Sequence, residues 1–216
     1  GTPRFAGKSE RLITQSTPSK LGRQSAPEGA PNIVLILLDD VGFGSFGTFG
    51  GPVPTPTLDR IANFGLRYNQ FHTTALCSPT RASLMTGRNH HAVHMGRIPE
   101  GANVFPGYDS VIPKEAGTVA EILRMNGFST AAFGKWHLGD QPPFLPTRQG
   151  FDYFWGIPYS DDMTKDKFPD TWPELPLMRG EKVIEAPVDR NYLIKRTTGE
   201  VIAFLERNQS QPFFCY

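Results

Sequence analysis

A short apolar run near the start of the chain constrains the fold most. Residues 33–38 read Ile-Val-Leu-Ile-Leu-Leu, and the acidic pair Asp39 and Asp40 follows them directly. Such a continuous β-favouring run is typical of a central parallel strand that is covered on both faces. It is far too short to span a bilayer, which takes about 20 apolar residues. The sequence therefore predicts a parallel sheet and no membrane span.

Predicted helices and strands alternate along the rest of the chain. Four segments have helical spacing or helix-start signals, and they cover residues 57–64, about 78–87, 118–126 and 192–208. Residues 128–133 predict a second parallel strand, and a last strand begins at Phe213. This alternation predicts an α/β fold with a mostly parallel central sheet and helices on both faces.

Two long segments lack such a period. Residues 1–30 are rich in Pro, Gly, Ser, Gln and Lys, and they predict an extended N-terminal arm. Residues 141–190 hold many prolines and aromatic residues, and they predict long ordered loops. We therefore expect two parts, an arm over 1–30 and an α/β domain over 31–216. Because the chain ends at Tyr216, inside an expected buried strand, we also expect a truncated domain.

Composition and charge narrow the class of protein. A hydrophobic content of 38% with 20% charged residues is typical of a globular chain. The net charge of +1 implies no acidic partner such as nucleic acid or a membrane surface. Two cysteines make no disulfide framework, so they leave the redox compartment open. Oligomeric state also stays open at this point.

A glycine-rich loop follows the first predicted strand. The stretch Gly42-Phe-Gly-Ser-Phe-Gly47 matches G-x-G-x-x-G, and Asp59 could then bind a ribose. Asp39 and Asp40 argue against a dinucleotide, because two carboxylates at the strand end would repel its pyrophosphate. The residues after this loop also do not read as the helix that the motif opens. Paired carboxylates suit a hard cation instead, with an ordinary solvated strand end as the alternative.

The segment Cys77-Ser-Pro-Thr-Arg81 opens the second predicted helix. A cysteine at a helix N-terminus near a guanidinium has a lowered pKa, which indicates a nucleophilic thiol. A buried, inert cysteine is the alternative, and Cys215 is predicted to be one. The three histidines of the next segment could suggest zinc, but no Cys or further His has ligand spacing, so we expect loop or supporting positions for His90, His91 and His94.

The Cys-x-Pro-x-Arg pattern resembles the signature of type I sulfatases, the formylglycine-dependent arylsulfatases of the alkaline-phosphatase-like superfamily. Three companion segments stand in the same order, Leu37-Leu-Asp-Asp-Val-Gly42, Thr86-Gly-Arg88 and Gly134-Lys-Trp-His-Leu-Gly139. The resemblance covers about residues 31–160. It implies that residues 31–216 are the N-terminal part of a sulfatase catalytic domain, with a periplasmic or secreted location favoured over a cytoplasmic one.

The resemblance also implies a nucleophile and a metal site. A formylglycine-generating enzyme would oxidise Cys77 to formylglycine, whose hydrated aldehyde attacks the sulfur of a small-molecule sulfate ester. Asp39, Asp40 and the formylglycine at 77 would bind a divalent cation, usually Ca²⁺. Arg81 lies one helical turn after Cys77, so it could reach the modified side chain and the carboxylates.

Substrate contacts follow from the same resemblance. Lys135 would hold a sulfate oxygen as a point charge, and His137 would act on the leaving-group oxygen or position the sulfate. The stretch from Gln149 to Ser160 is similar to an arylsulfatase segment whose serine contacts sulfate. The family takes a further His, an Asp/Asn metal pair and a second Lys from beyond residue 216, so residues 1–216 alone should bind the cation poorly. Alternatives are a phosphonate or phosphate ester hydrolase, and an inactive fragment or anion-binding domain.

Overall fold

A six-stranded sheet forms the centre of the computed structural model, which describes residues 8, 10–17 and 25–216. The strands, in spatial order, are β1 (Ile33–Val34), β6 (Phe213–Cys215), β2 (Ser129–Lys135), β3 (Tyr153–Ile157), β4 (Leu177–Arg179) and β5 (Lys182–Glu185). The first four of these neighbours are parallel, and β4 and β5 extend the sheet antiparallel. The predicted α/β class with a mostly parallel sheet is confirmed.

Within the described residues, four α-helices accompany the sheet close to their predicted positions. They are α1 (Pro56–Phe64), α2 (Cys77–Thr86), α3 (Val119–Met125) and α4 (Leu193–Arg207). α2 ends at Gly87, whose φ of 64° is left-handed backbone that glycine adopts without strain. α3 begins with a capping box, in which Thr118 and Glu121 each accept the other's backbone N–H. Among the described helices, none is long and apolar enough to cross a membrane.

Helices cover both faces of the sheet. On one face, α2 and α3 pack over a large core whose buried members include Ala82, Met85, Ala120, Ala132, Phe154 and Phe214. On the other face, α4 contributes Phe204 to a cluster with Ala131, Phe213 and Cys215. Successive residues of a strand point to opposite faces, so β2 and β6 serve both clusters. The two-sided helical cover predicted from the sequence is confirmed.

The apolar run at residues 33–38 differs from the prediction. It contributes only the two-residue strand β1, which pairs with β6 at the border of the sheet as described. Ile36 is 75% exposed, and Val34 and Leu38 are about half exposed. The prediction of a central, covered strand was therefore wrong for the described structure. An apolar run indicates only that a segment favours β-structure and burial, and it does not indicate the position of the strand in the sheet. Among the described residues, no further strand pairs with the outer side of β1.

Residues 141–190 are more regular than predicted, because they contain β3, β4 and β5. β3 is buried from Phe154 to Ile157, and Gly156 lies directly against the backbone of Gly134 in β2, where a Cβ atom would not fit. β4 and β5 form a hairpin around Gly180, which has a φ of 59°. Prolines and aromatic residues concealed these strands, since neither gives the alternating pattern of a half-buried strand.

The predicted arm over residues 1–30 lies largely outside the described residues. Within the described part, Lys8 and Thr17 form an isolated antiparallel bridge. Residues 25–30 lead into β1 as exposed or half-buried turns. The division at residue 30 stays a prediction.

Candidate active site

The site predicted from the sequence lies at the carboxyl ends of the parallel strands. Asp39 follows the β1 segment, Lys135 ends β2, and Ser160 comes shortly after β3. The first residue of α2, Cys77, and the buried Arg81 one turn later face the same edge. Open α/β sheets bind their ligands at this edge, because the loops that leave the strands meet there.

Lys135 joins two of these segments. Its Nζ donates to Asp39 Oδ2 at 2.6 Å and to Ser160 Oγ at 3.2 Å. The side chain is mostly buried, whereas the carboxylate of Asp39 is about two-fifths exposed. A cation with a hydroxyl beside it and an open side toward solvent is a suitable contact for an anionic oxygen.

Arg81 connects α2 to the ends of the strands. Its Nη1 donates to the backbone carbonyl of Lys135 at 2.5 Å and to the hydroxyl of Tyr216 at 3.1 Å. Its Nη2 lies 3.7 Å from Asp39 Oδ2. The buried guanidinium therefore fixes the position of Lys135 through the main chain and adds positive charge beside Asp39.

Cys77 faces His137 across the pocket. Its Sγ lies 3.1 Å from Nδ1 of His137, and the residue is half-buried. Burial raises the pKa of the Cys77 thiol, but the hydrogen bond and charge of His137 and the charge of Lys135 outweigh it and lower the pKa to about 7. The thiol at this position is therefore poised to ionise near neutral pH.

His137 is the most enclosed of the site residues, with 1% of its surface exposed. Its Nε2 lies 3.1 Å from Glu100 Oε2, in the short 3-10 turn Pro99–Gly101. Burial lowers the pKa of His137, but hydrogen bonds to Cys77 and Glu100 reverse this and raise it. Burial likewise raises the pKa of Glu100, and the hydrogen bond from His137 overcomes it, so that pKa is lowered. The three side chains form one continuous chain of polar contacts.

The family model Sulfatase matches residues 31–216. The chain belongs to the sulfatase family.

Individual sulfatases resemble this chain over different extents. Arylsulfatase G of Mus musculus is 35% identical over 226 residues, which cover 90% of this chain and 41% of that protein. Arylsulfatase A of Homo sapiens is 48% identical over 136 residues, 61% of this chain and 26% of that protein. The crystal structure of PsFucS1 sulfatase from Pseudoalteromonas sp. matches with a TM-score of 0.69 and 25% identity, over 86% of this chain and 42% of that one. The chain thus spans about two fifths of the length of arylsulfatase G.

Asp40 stands apart from the other predicted site residues of this chain. It is exposed, and in the described part of the chain no hydrogen bond or ion pair joins its carboxylate to another side chain. Its φ of 55° and the φ of 60° at His137 are left-handed backbone, which is uncommon outside glycine. The turn that this conformation makes at Asp40 immediately follows Asp39.

The fit of the structure to a divalent cation is partial. Asp39 and Asp40 offer carboxylate oxygens, which are the ligands Ca²⁺ prefers, but Ca²⁺ takes about six to eight of them. Among the described residues, no group of three or more His, Cys, Asp or Glu could hold a metal ion. In this structure Asp39 instead accepts from Lys135. Asp39 and Asp40 alone therefore fall short of the number of oxygen ligands that Ca²⁺ takes.

His90, His91 and His94 lie in the segment between α2 and α3. His91 Nε2 is 3.1 Å from the hydroxyl of Tyr108, and His94 Nδ1 is 3.0 Å from Asp109. The ring of His90 packs against that of His91 at 4.1 Å. These contacts place the three imidazoles in local loop packing.

Sequence reasoning missed two residues of the site. Glu100 lies in a loop without a recognisable motif, and Tyr216 is the last residue of the chain. Neither has a local pattern that predicts a partner, because each meets the site only through the tertiary fold. A carboxylate in the loop before α3 could have been proposed as the partner of a buried histidine, but several acidic residues would have qualified equally.

Proposed function

We propose that the protein is a sulfuric ester hydrolase, which cleaves small sulfate esters such as aryl sulfates to an alcohol and sulfate. The proposal rests on one observation above all, that Cys77 faces His137 beside the cation of Lys135 in a chain of the sulfatase family. In this proposal Cys77 is oxidised to formylglycine by a formylglycine-generating enzyme. In the structure the Sγ of the unmodified Cys77 marks the position that a hydroxyl oxygen of the hydrated aldehyde would take.

The hydrated aldehyde has two hydroxyls, and each has its own step. One hydroxyl oxygen attacks sulfur, the bond from sulfur to the alcohol oxygen breaks, and the alcohol leaves with a proton. The second hydroxyl then loses its proton, the bond from carbon to the sulfate oxygen breaks, and sulfate leaves. The aldehyde is restored, and a water molecule hydrates it again. This is covalent catalysis with its own release step.

The chain's own side chains support these steps by position and charge. Lys135 would contact a sulfate oxygen, with the Ser160 hydroxyl beside it at 3.2 Å from Nζ. His137 Nδ1 faces the side chain of residue 77, so it can exchange a proton with a hydroxyl there. Arg81 keeps the Lys135 backbone in place and offsets the charge of Asp39. Such fixed charges stabilise the transition state most when they need no rearrangement.

Asp39, Asp40 and the formylglycine at residue 77 would hold a divalent cation, and we propose Ca²⁺ from the family resemblance and the oxygen donors. When bound, such a cation offsets the charge of the sulfate and lowers the pKa of the attacking hydroxyl. Because Ca²⁺ takes about six to eight oxygen ligands, Asp39, Asp40 and residue 77 need further oxygen ligands beside them.

The test uses the full-length protein, with formylglycine at residue 77 verified by peptide mass spectrometry. Turnover of an aryl sulfate and of the matching phosphate monoester is measured for wild type, Lys135→Ala and Arg81→Ala. Loss of one preorganised charge typically lowers kcat roughly 10²–10³-fold, so we expect at least this loss in both variants. Arg148→Ala is the control, because Arg148 is an exposed arginine that pairs with Glu181 on the surface.

The result also decides between the alternatives. Faster turnover of the phosphate ester by wild type would identify a phosphate ester hydrolase of the same superfamily. Failure of the matured, metal-loaded wild type to cleave either ester would favour an anion-binding role. Variants that retain wild-type kcat would show that the two cations do not act in the reaction.

A further inference from the structure

We propose that Glu100 is a positioning residue for His137, whose carboxylate holds the imidazole with Nδ1 directed at the side chain of residue 77. The inference deepens the proposed function and rests on it for its catalytic meaning. Its structural basis is a line of contacts, from Cys77 Sγ to His137 Nδ1 at 3.1 Å and from His137 Nε2 to Glu100 Oε2 at 3.1 Å.

His137 needs a positioning contact because its imidazole ring can take two flipped orientations. The torsion that rotates a histidine ring is broad and roughly two-fold, so packing alone discriminates poorly between the two flipped orientations. A flip of His137 would replace Nδ1 by a ring carbon at residue 77. The backbone fixes only the start of the side chain, through the bond from the His137 N–H to the Pro158 carbonyl at 2.9 Å. The contact of Nε2 with Glu100 rejects the flipped ring, because a carbon would then face the carboxylate.

Glu100 also determines which nitrogen carries the hydrogen. A carboxylate only accepts hydrogen bonds, so the Nε2 that faces it must donate. In a neutral imidazole Nδ1 is then the acceptor, and this acceptor faces residue 77. Once Nδ1 has accepted a proton from a hydroxyl there, the adjacent carboxylate stabilises the imidazolium, as the aspartate does in serine-protease triads.

The turn that carries Glu100 is itself well supported. The backbone N–H of Gly101 donates to the Ile98 carbonyl and that of Ala102 to the Pro99 carbonyl, both at 3.0 Å. The guanidinium of Arg97 occupies the space beside Gly101 that a side chain there would take. The loop between α2 and α3 therefore presents the carboxylate from a turn that is closed by its own backbone hydrogen bonds.

The test compares Glu100→Gln and Glu100→Ala in the full-length, matured protein. Loss of a contact that orients an active group typically costs roughly 10–100-fold, and we expect kcat to fall by this much with KM within about two-fold. Gln should not rescue activity, because its amide can donate to Nε2 and favour the tautomer with hydrogen on Nδ1. A merely structural role predicts the opposite, since Gln has nearly the same shape as Glu and should retain wild-type kcat.

Glu185→Gln is the matched control. Glu185 is also a partly exposed carboxylate, at 31% against 23% for Glu100, and it pairs with Arg196 at 2.6 Å away from the site. This variant should keep the wild-type kcat. Thermal unfolding is measured for all variants, and failure of Glu100→Gln to fold would overturn the proposal, because a positioning contact is not required for folding.

A second readout does not depend on sulfatase activity. In protein made without the maturing enzyme, residue 77 is a thiol, and its alkylation by iodoacetamide at pH 7 reports whether Nδ1 faces it as an acceptor. We expect alkylation of Cys77 to be several-fold slower in Glu100→Gln than in wild type. If the wild-type protein cleaves no ester, the proposed function is rejected. The alkylation rate of Cys77 would still test whether Glu100 positions His137. Rates within about two-fold of wild type in both readouts would overturn the role of Glu100.

Discussion

The two cysteines of the chain lie in two regions that shift the pKa of the thiol in opposite directions. Cys77 begins α2 at the polar edge of the sheet, where His137 and Lys135 lower the pKa of its thiol to about 7 against the effect of burial. Cys215 lies in β6 among Ala131, Phe204 and Phe213, and burial raises the pKa of its thiol to about 11. Burial raises the thiol pKa of both cysteines.

The difference shows that polar neighbours can outweigh the effect of burial on the pKa of a thiol in this fold. Burial alone disfavours a thiolate, and it makes Cys215 part of the core. The same cost is overcome at Cys77 because an imidazole and an ammonium group are held within reach by the ends of the strands. The predictions that follow test this contrast.

The largest expected effect is a difference in alkylation rate. At pH 7 a thiol with a pKa of about 7 is half ionised, and one with a pKa of about 11 is ionised in about one molecule in 10⁴. In folded protein that has not been matured, Cys77 should therefore react with iodoacetamide at least roughly 10³-fold faster than Cys215. Peptide mass spectrometry over time measures both rates. Comparable rates in the folded protein would refute the contrast.

A smaller effect is expected on stability. Cys215→Ser places a hydroxyl in the apolar surroundings of β6, and an unsatisfied buried hydroxyl costs about 1–3 kcal/mol. Cys77→Ser should change the free energy of unfolding by less than about 1 kcal/mol, because its hydroxyl can hydrogen-bond to His137. Urea unfolding of both variants provides the comparison. An equal loss in the two would mean that the Cys77 region is as apolar as β6.

The smallest effect is on the pH dependence of Cys77. Its lowered pKa means that the thiolate is present at lower pH in the folded chain than in the unfolded chain. The alkylation rate should reach half its maximum near pH 7 when folded, and near about pH 8.5 when unfolded. His137→Ala removes the hydrogen bond and the charge that lower this pKa, so it should move the midpoint of the folded protein upward. A folded midpoint that coincides with the unfolded one would show that the pocket does not activate the thiol.

Much of the fold could be predicted because its signals are local. α2, α3 and α4 each carry an apolar face or a recognisable start or stop, such as Thr118 before α3 and Gly87 after α2. β4 and β5 have no such signal, since their status as strands depends on pairing with β3. The place of β1 at the sheet border is likewise a property of strand order, which a single apolar run does not encode.

The site residues likewise fall into those that have a local sequence signal and those that only the tertiary fold reveals. The motif segments identified Asp39, Cys77, Arg81 and Lys135 as neighbours, and the structure brings them to one edge. Glu100 could not be identified, because a glutamate in a loop is ordinary until a buried histidine is placed next to it. The cation site and the roles of these residues in the reaction stay predictions, since among the described residues no group of three or more His, Cys, Asp or Glu could hold a metal ion.

Asp40 and His137 share a left-handed backbone, and at Asp40 this conformation places folding and the proposed activity in opposition. Their φ values of 55° and 60° each cost a residue with a side chain roughly 1 kcal/mol or more, whereas glycine adopts them freely. Replacing the exposed Asp40 by glycine would relieve that cost and remove one carboxylate from the site. At the buried His137 the same change would also leave an unfilled space and an unpaired Glu100, so glycine is not favoured there. A selection for thermal stability alone should therefore enrich glycine at position 40, and under the proposed function the product is a well-folded protein that lacks one of its cation ligands.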